Sequence, residues 1–160
     1  MRKPDLTSLT PVNLLRTHTS IVEELKRRDI VRTSNNPIAG YTEWLVSSKL
    51  GLHLEGNSKS GYDATGRDGS RYEIKGRRIT SKNSSTQLSV IRNLAKAQFD
   101  FLIGVLFDEH YSVVYAAKIP RGLVIKHSKF NRYQNGHIIF LRENILKLPG
   151  VIDIRSRLVN

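Results

Sequence analysis

The chain has 160 residues, of which 39% are hydrophobic and 25% charged, a composition typical of one globular domain. It has no cysteine, which excludes disulfides and thiolate metal sites, and it has no apolar run near the roughly 20 residues of a membrane span. Lys and Arg number 26 against 14 Asp and Glu, a formal net charge of +12. We expect a cytoplasmic protein without a membrane partner that binds a polyanion, most commonly a nucleic acid.

Two helices are predicted in the first third of the chain. A Thr-Pro pair at residues 10–11 is a typical helix start, and apolar residues recur at helical spacing up to Leu25. An Asn-Pro pair at residues 36–37 starts a second helix, which Gly51 ends.

Strands are predicted next, because polar and apolar side chains alternate with a period of two over residues 52–79. A polar break at residues 57–60 and a turn at residues 66–70 divide this stretch into separate strands. The pattern therefore favours a small antiparallel sheet that follows the second helix.

The second half of the chain is centred on two apolar runs, at residues 99–107 and 111–119, which predict a buried hairpin. Before them, residues 87–94 fit either a strand or a helix. After them we expect a basic segment from Pro120, a short strand at 137–141, a helical turn at 143–148 and a last strand at 151–158.

The turn at residues 66–70 decides which side chains of the flanking strands face each other. A two-residue turn would place Asp63 opposite Ile74, with its carboxylate directed away from Glu73. A type I turn followed by Gly69 in the left-handed conformation would place Asp63 opposite Glu73 and leave Lys75 on the same face. Only the second register brings the three charged side chains together.

In that register, the two carboxylates indicate a cation site. Like charges that face each other in a sheet normally cost up to about 1 kcal/mol, so Asp63 opposite Glu73 suggests that a cation lies between them. Oxygen ligands alone suit Mg²⁺ or Mn²⁺. An ordinary alternative is a surface ion-pair ladder with Lys75, worth at most about 1 kcal/mol.

An Asp on one strand and Glu-x-Lys on the next resembles the PD-(D/E)XK nuclease superfamily, which includes restriction endonucleases and archaeal junction resolvases. The resemblance covers Asp63 to Lys75, and Tyr62 stands where the motif has its proline. Many members also carry a Glu on the helix before the first strand, and Glu43 is in the corresponding order. Glu43 shares a helical stripe with apolar residues and is predicted to face the sheet.

The resemblance implies an α/β fold with a restriction-endonuclease-like central mixed β-sheet flanked by helices. Its core order would be αβββαβ, with an extra N-terminal helix. We expect a single domain over residues 1–160, in which residues 1–35 form a helical extension packed on this core.

The resemblance also implies a divalent-metal-dependent endonuclease that hydrolyses DNA phosphodiester bonds, with DNA favoured over RNA. Asp63, Glu73, Glu43 and the main-chain carbonyl of Ile74 would hold Mg²⁺ or Mn²⁺. Lys75 would approach the attacking water or the scissile phosphate. One site cuts one strand, so we expect a homodimer.

Residues around the motif are candidates for contacts to the nucleic acid. Arg77 shares the face of Lys75, whereas Arg78 leaves the strand on the opposite face. Residues 118–142 hold six Lys or Arg and no acidic residue. The full set of candidates is Arg77, Arg78, Lys82, Gln87, Lys129 and Arg132. Two other functions fit the same charge: a non-catalytic nucleic-acid-binding module, and a subunit of a restriction or repair complex.

Overall fold

A computed structural model describes residues 4–56, 61–96 and 98–159 of the chain. Helix α1 (Pro11–Arg27) begins after Thr10, whose hydroxyl accepts a hydrogen bond from the backbone N–H of Asn13. Helix α2 (Ile38–Leu50) ends at Gly51, which is left-handed with φ 66°. Both predicted helices are confirmed, because their end signals are local and act as expected.

Six strands form the central sheet, and a separate ribbon holds two more. The six lie in the order β1 (His53–Leu54), β2 (Ala64–Thr65), β3 (Arg71–Arg78), β4 (Phe101–Phe107), β5 (Val113–Pro120) and β8 (Ile152–Asp153). The ribbon pairs β6 (Lys129–Asn131) with β7 (Gly136–Ile138). Strands β3 and β4 are parallel and the other neighbours are antiparallel, so the expected α/β class with a central mixed sheet is confirmed.

The turn between β2 and β3 has the longer of the two geometries. The backbone N–H of Gly66 donates to the carbonyl oxygen of Ser70 at 2.8 Å, and Gly69 has φ 80°. Ala64 pairs with Tyr72 in the resulting antiparallel ladder. Beyond this pair, the backbone N–H of Asp63 donates to the carbonyl oxygen of Tyr72 at 2.8 Å.

Strand β3 has a free edge over most of its length. Strand β2 pairs with only its first two residues, Arg71 and Tyr72, whereas β4 runs beside all of residues 72–78. On the β2 side, no strand among the described residues covers residues 73–78. We call residues 73–78 the free edge of β3, where the backbone N–H of Ile74 donates to a side chain, the carboxylate of Asp63, and not to a strand.

Two apolar layers pack on the sheet, one on each face. Consecutive residues of β4 alternate between them, so Leu102 and Ile103 lie in different layers. Leu45 and Val46 of α2 pack in one layer with Ile103. The opposite layer includes Leu88, Leu102, Leu106, Ile119, Val124 and Leu141. Strands β4 and β5 pair along their whole length, which confirms the predicted buried hairpin.

Several predicted elements are corrected. Residues 87–94 form neither a strand nor a helix: Gln87 and Ile91 make isolated bridges to Phe140 and His137, and a 3₁₀ turn (Leu94–Lys96) follows. Of the predicted strand at 151–158, only the two residues of β8 are a strand. The residues that follow form helix α5 (Arg155–Leu158), which buries Leu158 in the core. The basic segment contains helix α3 (Arg121–His127), and helix α4 (Glu143–Leu146) is the predicted helical turn.

The αβββαβ order is not confirmed. Helix α2 and strands β1 to β3 follow it, but the described part of the connection from β3 to β4 contains the 3₁₀ turn and no α-helix. The polar break expected at residues 57–60 lies outside the described residues.

Helix α1 leaves most of its apolar side chains exposed. It buries Val22, whereas Leu15 and Ile21 are 69% and 56% exposed. The segment that follows it returns to the core, where Val31 is 3% exposed. Among the described residues, no helix combines the length and apolar character that crossing a bilayer requires.

Candidate active site

The charged side chains of the motif meet where the free edge of β3 begins. Asp63 directly precedes β2, and its backbone N–H donates to the carbonyl oxygen of Tyr72 at 2.8 Å, while the backbone N–H of Ile74 donates to Asp63 Oδ2 at 2.7 Å. Lys75 Nζ lies 2.5 Å from Glu73 Oε1 and 3.9 Å from Asp63 Oδ2. Two carboxylates therefore converge on one ammonium group, and Ile74 fixes the orientation of one of them.

This cluster is not a solvated ladder on the protein surface. The side chains of Glu73, Lys75 and Asp63 are 15%, 18% and 24% exposed. An exposed ion pair is screened by water and contributes little, whereas charges enclosed to this extent lose hydration and need compensating partners. The burial therefore makes the balance of charge within the cluster important.

Glu43 joins the cluster from α2. Its side chain is 15% exposed and forms an ion pair with Arg32, whose guanidinium also donates to the backbone carbonyl of Glu55 at 2.6 Å. Helix α2 approaches β3 closely at Gly76, where a Cβ atom would overlap the side chain of Thr42. The close helix–strand contact at Gly76 thus sets how far Glu43 reaches towards the motif.

The three carboxylates affect one another through charge. Burial, and after it the negative charge of Asp63, raises the pKa of Glu43. Burial raises the pKa of Glu73, with Lys75 opposing the shift and Asp63 adding to it. Burial alone would lower the pKa of Lys75, but Glu73 and Asp63 outweigh it and raise that pKa. Glu43 and Glu73 are therefore harder to ionise, because both are buried and lie near the charge of Asp63.

The charges of the cluster do not balance. Glu43, Asp63 and Glu73 contribute three negative charges when ionised, and Lys75 and Arg32 contribute two positive charges. An enclosed excess of carboxylate oxygens attracts a hard cation such as Mg²⁺ or Mn²⁺. In the described part of the chain, however, no three acidic or imidazole side chains are close enough to enclose a metal ion. The donor types fit the metal, but the Lys75 ammonium would have to move off Glu73.

These pKa shifts predict how stability depends on pH when no metal is bound. The pKa of Glu43 and of Glu73 is raised above its ordinary value of 4.5, so the folded chain holds protons that the unfolded chain has released. Stability then falls as the pH rises from that value towards neutral. Groups with a lowered pKa, such as Asp100 beside Arg71, act in the opposite sense at pH values below about 3.8.

Thermal unfolding in EDTA measures this dependence. We expect the Tm of the wild type to fall over the window above pH 4.5, and Glu73→Gln to flatten the slope and raise Tm at neutral pH. Glu109→Gln, a change to an exposed loop carboxylate, serves as the matched control and should keep the wild-type slope. Identical profiles for the Glu73 variant and this control would contradict the shifts.

The predicted nucleic-acid contacts fall in two regions. Arg77 donates to the carbonyl oxygen of Gln87 at 2.9 Å and to Asn83 Oδ1 at 3.2 Å, so it ties the polar loop to β3. Arg78 is exposed, with its guanidinium 5.2 Å from the centre of the Tyr111 ring. Lys82 is exposed in the polar loop, whereas Lys129 and Arg132 are exposed on the β6–β7 ribbon, in a separate sheet.

Arg32 was missed by the sequence analysis. It lies in the segment between α1 and α2, eleven residues before its partner Glu43. No helical or strand spacing relates the two positions, so one sequence carries no signal for this pair. Gly76 was missed for the same reason, because its contact with Thr42 exists only once α2 has packed on β3.

No protein-family model matches the chain, and no curated protein matches it either. Membership of the PD-(D/E)XK superfamily therefore stays a prediction that rests on the motif and its surroundings.

Proposed function

We propose that the chain is a divalent-metal-dependent endonuclease that hydrolyses DNA phosphodiester bonds in the cytoplasm. One observation carries the proposal: the enclosed carboxylates of Asp63 and Glu73 converge on Lys75, and the enclosed carboxylate of Glu43, paired with Arg32, lies within electrostatic range of them, so that negative charges outnumber positive ones. A fold gains no stability from such an imbalance, because enclosed charges without partners are costly. A site that recruits a cation needs the imbalance.

In this proposal Asp63 and Glu73 would hold the metal, and Glu43 and the carbonyl of Ile74 would be further ligands. The metal, when bound, lowers the pKa of a water molecule and neutralises charge on the phosphate. The backbone N–H of Ile74 orients the carboxylate of Asp63. The Lys75 ammonium supplies a point charge where negative charge develops on the phosphate in the transition state.

The charge of the whole chain supports a nucleic acid as the substrate. The formal net charge is +12, and basic residues continue along β3 directly after the motif, at Arg77 and Arg78. Such a surface attracts a polyanion and releases its counterions. The open edge of β3 leaves room for an extended backbone to approach the cluster.

Incubation of the full chain with plasmid, branched and single-stranded DNA tests the proposal. We expect cleavage in Mg²⁺ or Mn²⁺ and none in EDTA, and a rate lowered at least about 10²-fold in Asp63→Asn, which weakens the metal site. Asp68→Asn removes an exposed carboxylate from the neighbouring turn and should cleave like the wild type. Linear plasmid product would support the homodimer, since a single site per molecule yields nicked circles.

A non-catalytic nucleic-acid-binding module is the second candidate. The position of Lys75, which already bridges Glu73 and Asp63, favours it, because this ammonium partly satisfies the carboxylates without a metal. DNA binding that is equal in Mg²⁺ and EDTA, with no cleavage by any variant, would support this candidate against the enzyme. Cleavage that requires a second protein would instead support a subunit of a restriction or repair complex.

A further inference from the structure

A polar pocket, separate from the carboxylate cluster, lies along the free edge of β3. Its volume is about 400 Å³. Arg77 and Arg78 line it from the strand, Asn83 and Ser89 from the connection that follows, and Asn36 from the residues before α2. None of the described residues that line it is acidic, so its two guanidinium groups give it a positive potential.

The two arginines are held in different ways that suit anion binding. Arg77 is anchored by Gln87 and Asn83, and its buried Nε has no hydrogen-bond partner among the described residues. Arg78 is exposed and rests on the Tyr111 ring, with which it forms a cation–π contact. The guanidinium of Arg77 is therefore fixed in the wall of the pocket, and the guanidinium of Arg78 is held beside the pocket but open to solvent.

The start of α2 adds to the positive potential. Asn36 and Ile38 line the pocket, and the side-chain oxygen of Asn36 accepts a hydrogen bond from the backbone N–H of Ile38. The first turn of a helix carries partial positive charge on its unpaired N–H groups. The amide and hydroxyl groups of Asn36, Asn83 and Ser89 can donate to the oxygens of an anion.

The spacing of the pocket from the cluster matches a polynucleotide. Arg77 follows Lys75 by two residues on the same face of β3, a separation of about 6.6 Å along the strand. This is on the order of one nucleotide step of an extended backbone. A strand that follows the free edge of β3 with one phosphate at Lys75 would therefore bring its neighbouring phosphate to the pocket.

We propose that this pocket binds the phosphate group adjacent, on the same strand, to the phosphodiester at the carboxylate cluster. The assignment of this phosphate as the one adjacent to the cleaved bond rests on the proposed function. Binding of a phosphate in the pocket does not, because it uses arginine, amide and hydroxyl groups and requires neither metal nor cleavage.

Fluorescence anisotropy of a short labelled DNA duplex in EDTA, over a series of salt concentrations, tests the anion site. Arg78→Gln is expected to weaken binding about tenfold and to reduce the slope of log affinity against log salt by about 0.7–0.9, the loss of one phosphate contact. Arg157→Gln, an equal loss of charge at an exposed position of α5, should change affinity less than about twofold. Equal effects of the two substitutions would overturn the site.

A second pair of variants keeps the test independent of the folding of Arg78→Gln. Ser89→Asp adds a carboxylate at the pocket wall and should weaken DNA binding by repulsion, whereas Ser156→Asp on α5 should have little effect. Loss of binding that is the same in both would point to net charge alone and would contradict a defined pocket.

Duplexes with one neutral methylphosphonate, moved along the strand, test the position of the phosphate. At the phosphate next to the bond cleaved in Mg²⁺, the neutral group should weaken binding of the wild type and cause no further loss in Arg78→Gln. An Arg78-sensitive phosphate further away would overturn the assignment. If no bond is cleaved at all, the proposed function fails, and the anion site is then judged by the EDTA measurements alone.

Discussion

Replacing Lys75 by methionine is expected to lower the rate of DNA cleavage about 10²- to 10³-fold and at the same time to strengthen binding of the metal. The rate falls because the ammonium no longer stabilises charge on the phosphate. Metal binding improves because Lys75 Nζ lies 2.5 Å from Glu73 Oε1 and competes for the same oxygen. Initial cleavage rates at saturating Mn²⁺, together with titration calorimetry of Mn²⁺ without DNA, measure the two effects separately.

Lys118→Met is the matched control. Lys118 is also partly buried on the sheet, where its ammonium lies 3.2 Å from the Tyr72 hydroxyl and 3.9 Å from the centre of the Phe101 ring. It does not contact the carboxylate cluster, so its loss should change neither the cleavage rate nor metal affinity. If Lys75→Met reduced stability and left metal binding unchanged, Lys75 would be a structural counter-ion and not part of a catalytic site.

Gly76→Ala is expected to destabilise the chain by about 2–3 kcal/mol, which lowers Tm by roughly 5–10 °C for a protein of this size. The added methyl group would overlap the side chain of Thr42, which is 1% exposed on α2 and cannot move into solvent. Helix α2 must then shift away from β3 and carry Glu43 with it. Thermal and urea unfolding measure the loss of stability, and the cleavage rate of the folded fraction measures the displacement of Glu43.

Gly122→Ala in α3 controls for the general effect of adding a methyl group. A Cβ at Gly122 would meet no heavy atom within 4 Å, and alanine favours a helix more than glycine does. This variant should be as stable as the wild type or slightly more stable. Wild-type stability of Gly76→Ala as well would mean that α2 does not pack on β3 in solution.

The parts of the site that follow local rules are readable from the sequence. Gly69 accepts the left-handed conformation that the longer turn requires, and this turn sets the register of the hairpin in which Asp63 and Glu73 both approach Lys75. The starts of α1 and α2 and the end of α2 are likewise encoded by residues within one helical turn of them.

The features of the fold and the site that depend on tertiary contacts cannot be predicted from the sequence. Arg32 pairs with Glu43 across eleven residues of sequence, where no helical or strand spacing relates the two positions. Residues 87–94 fit either a strand or a helix by sequence, but in the structure they make only isolated bridges, and Leu88 and Ile91 pack in the apolar layer on one face of the sheet. The spacing of apolar residues indicates which side chains of this segment are buried, but it does not indicate which residues its backbone pairs with.

The parallel pairing of β3 with β4 has a consequence for the order in which the chain folds. The β2–β3 and β4–β5 hairpins close through turns of a few residues, whereas 22 residues of sequence separate the end of β3 from the start of β4. Longer loops cost more entropy to close, so local hairpins form first. We therefore expect Asp63 and Glu73 to approach each other in the local hairpin while water still surrounds them, before the assembled sheet encloses them.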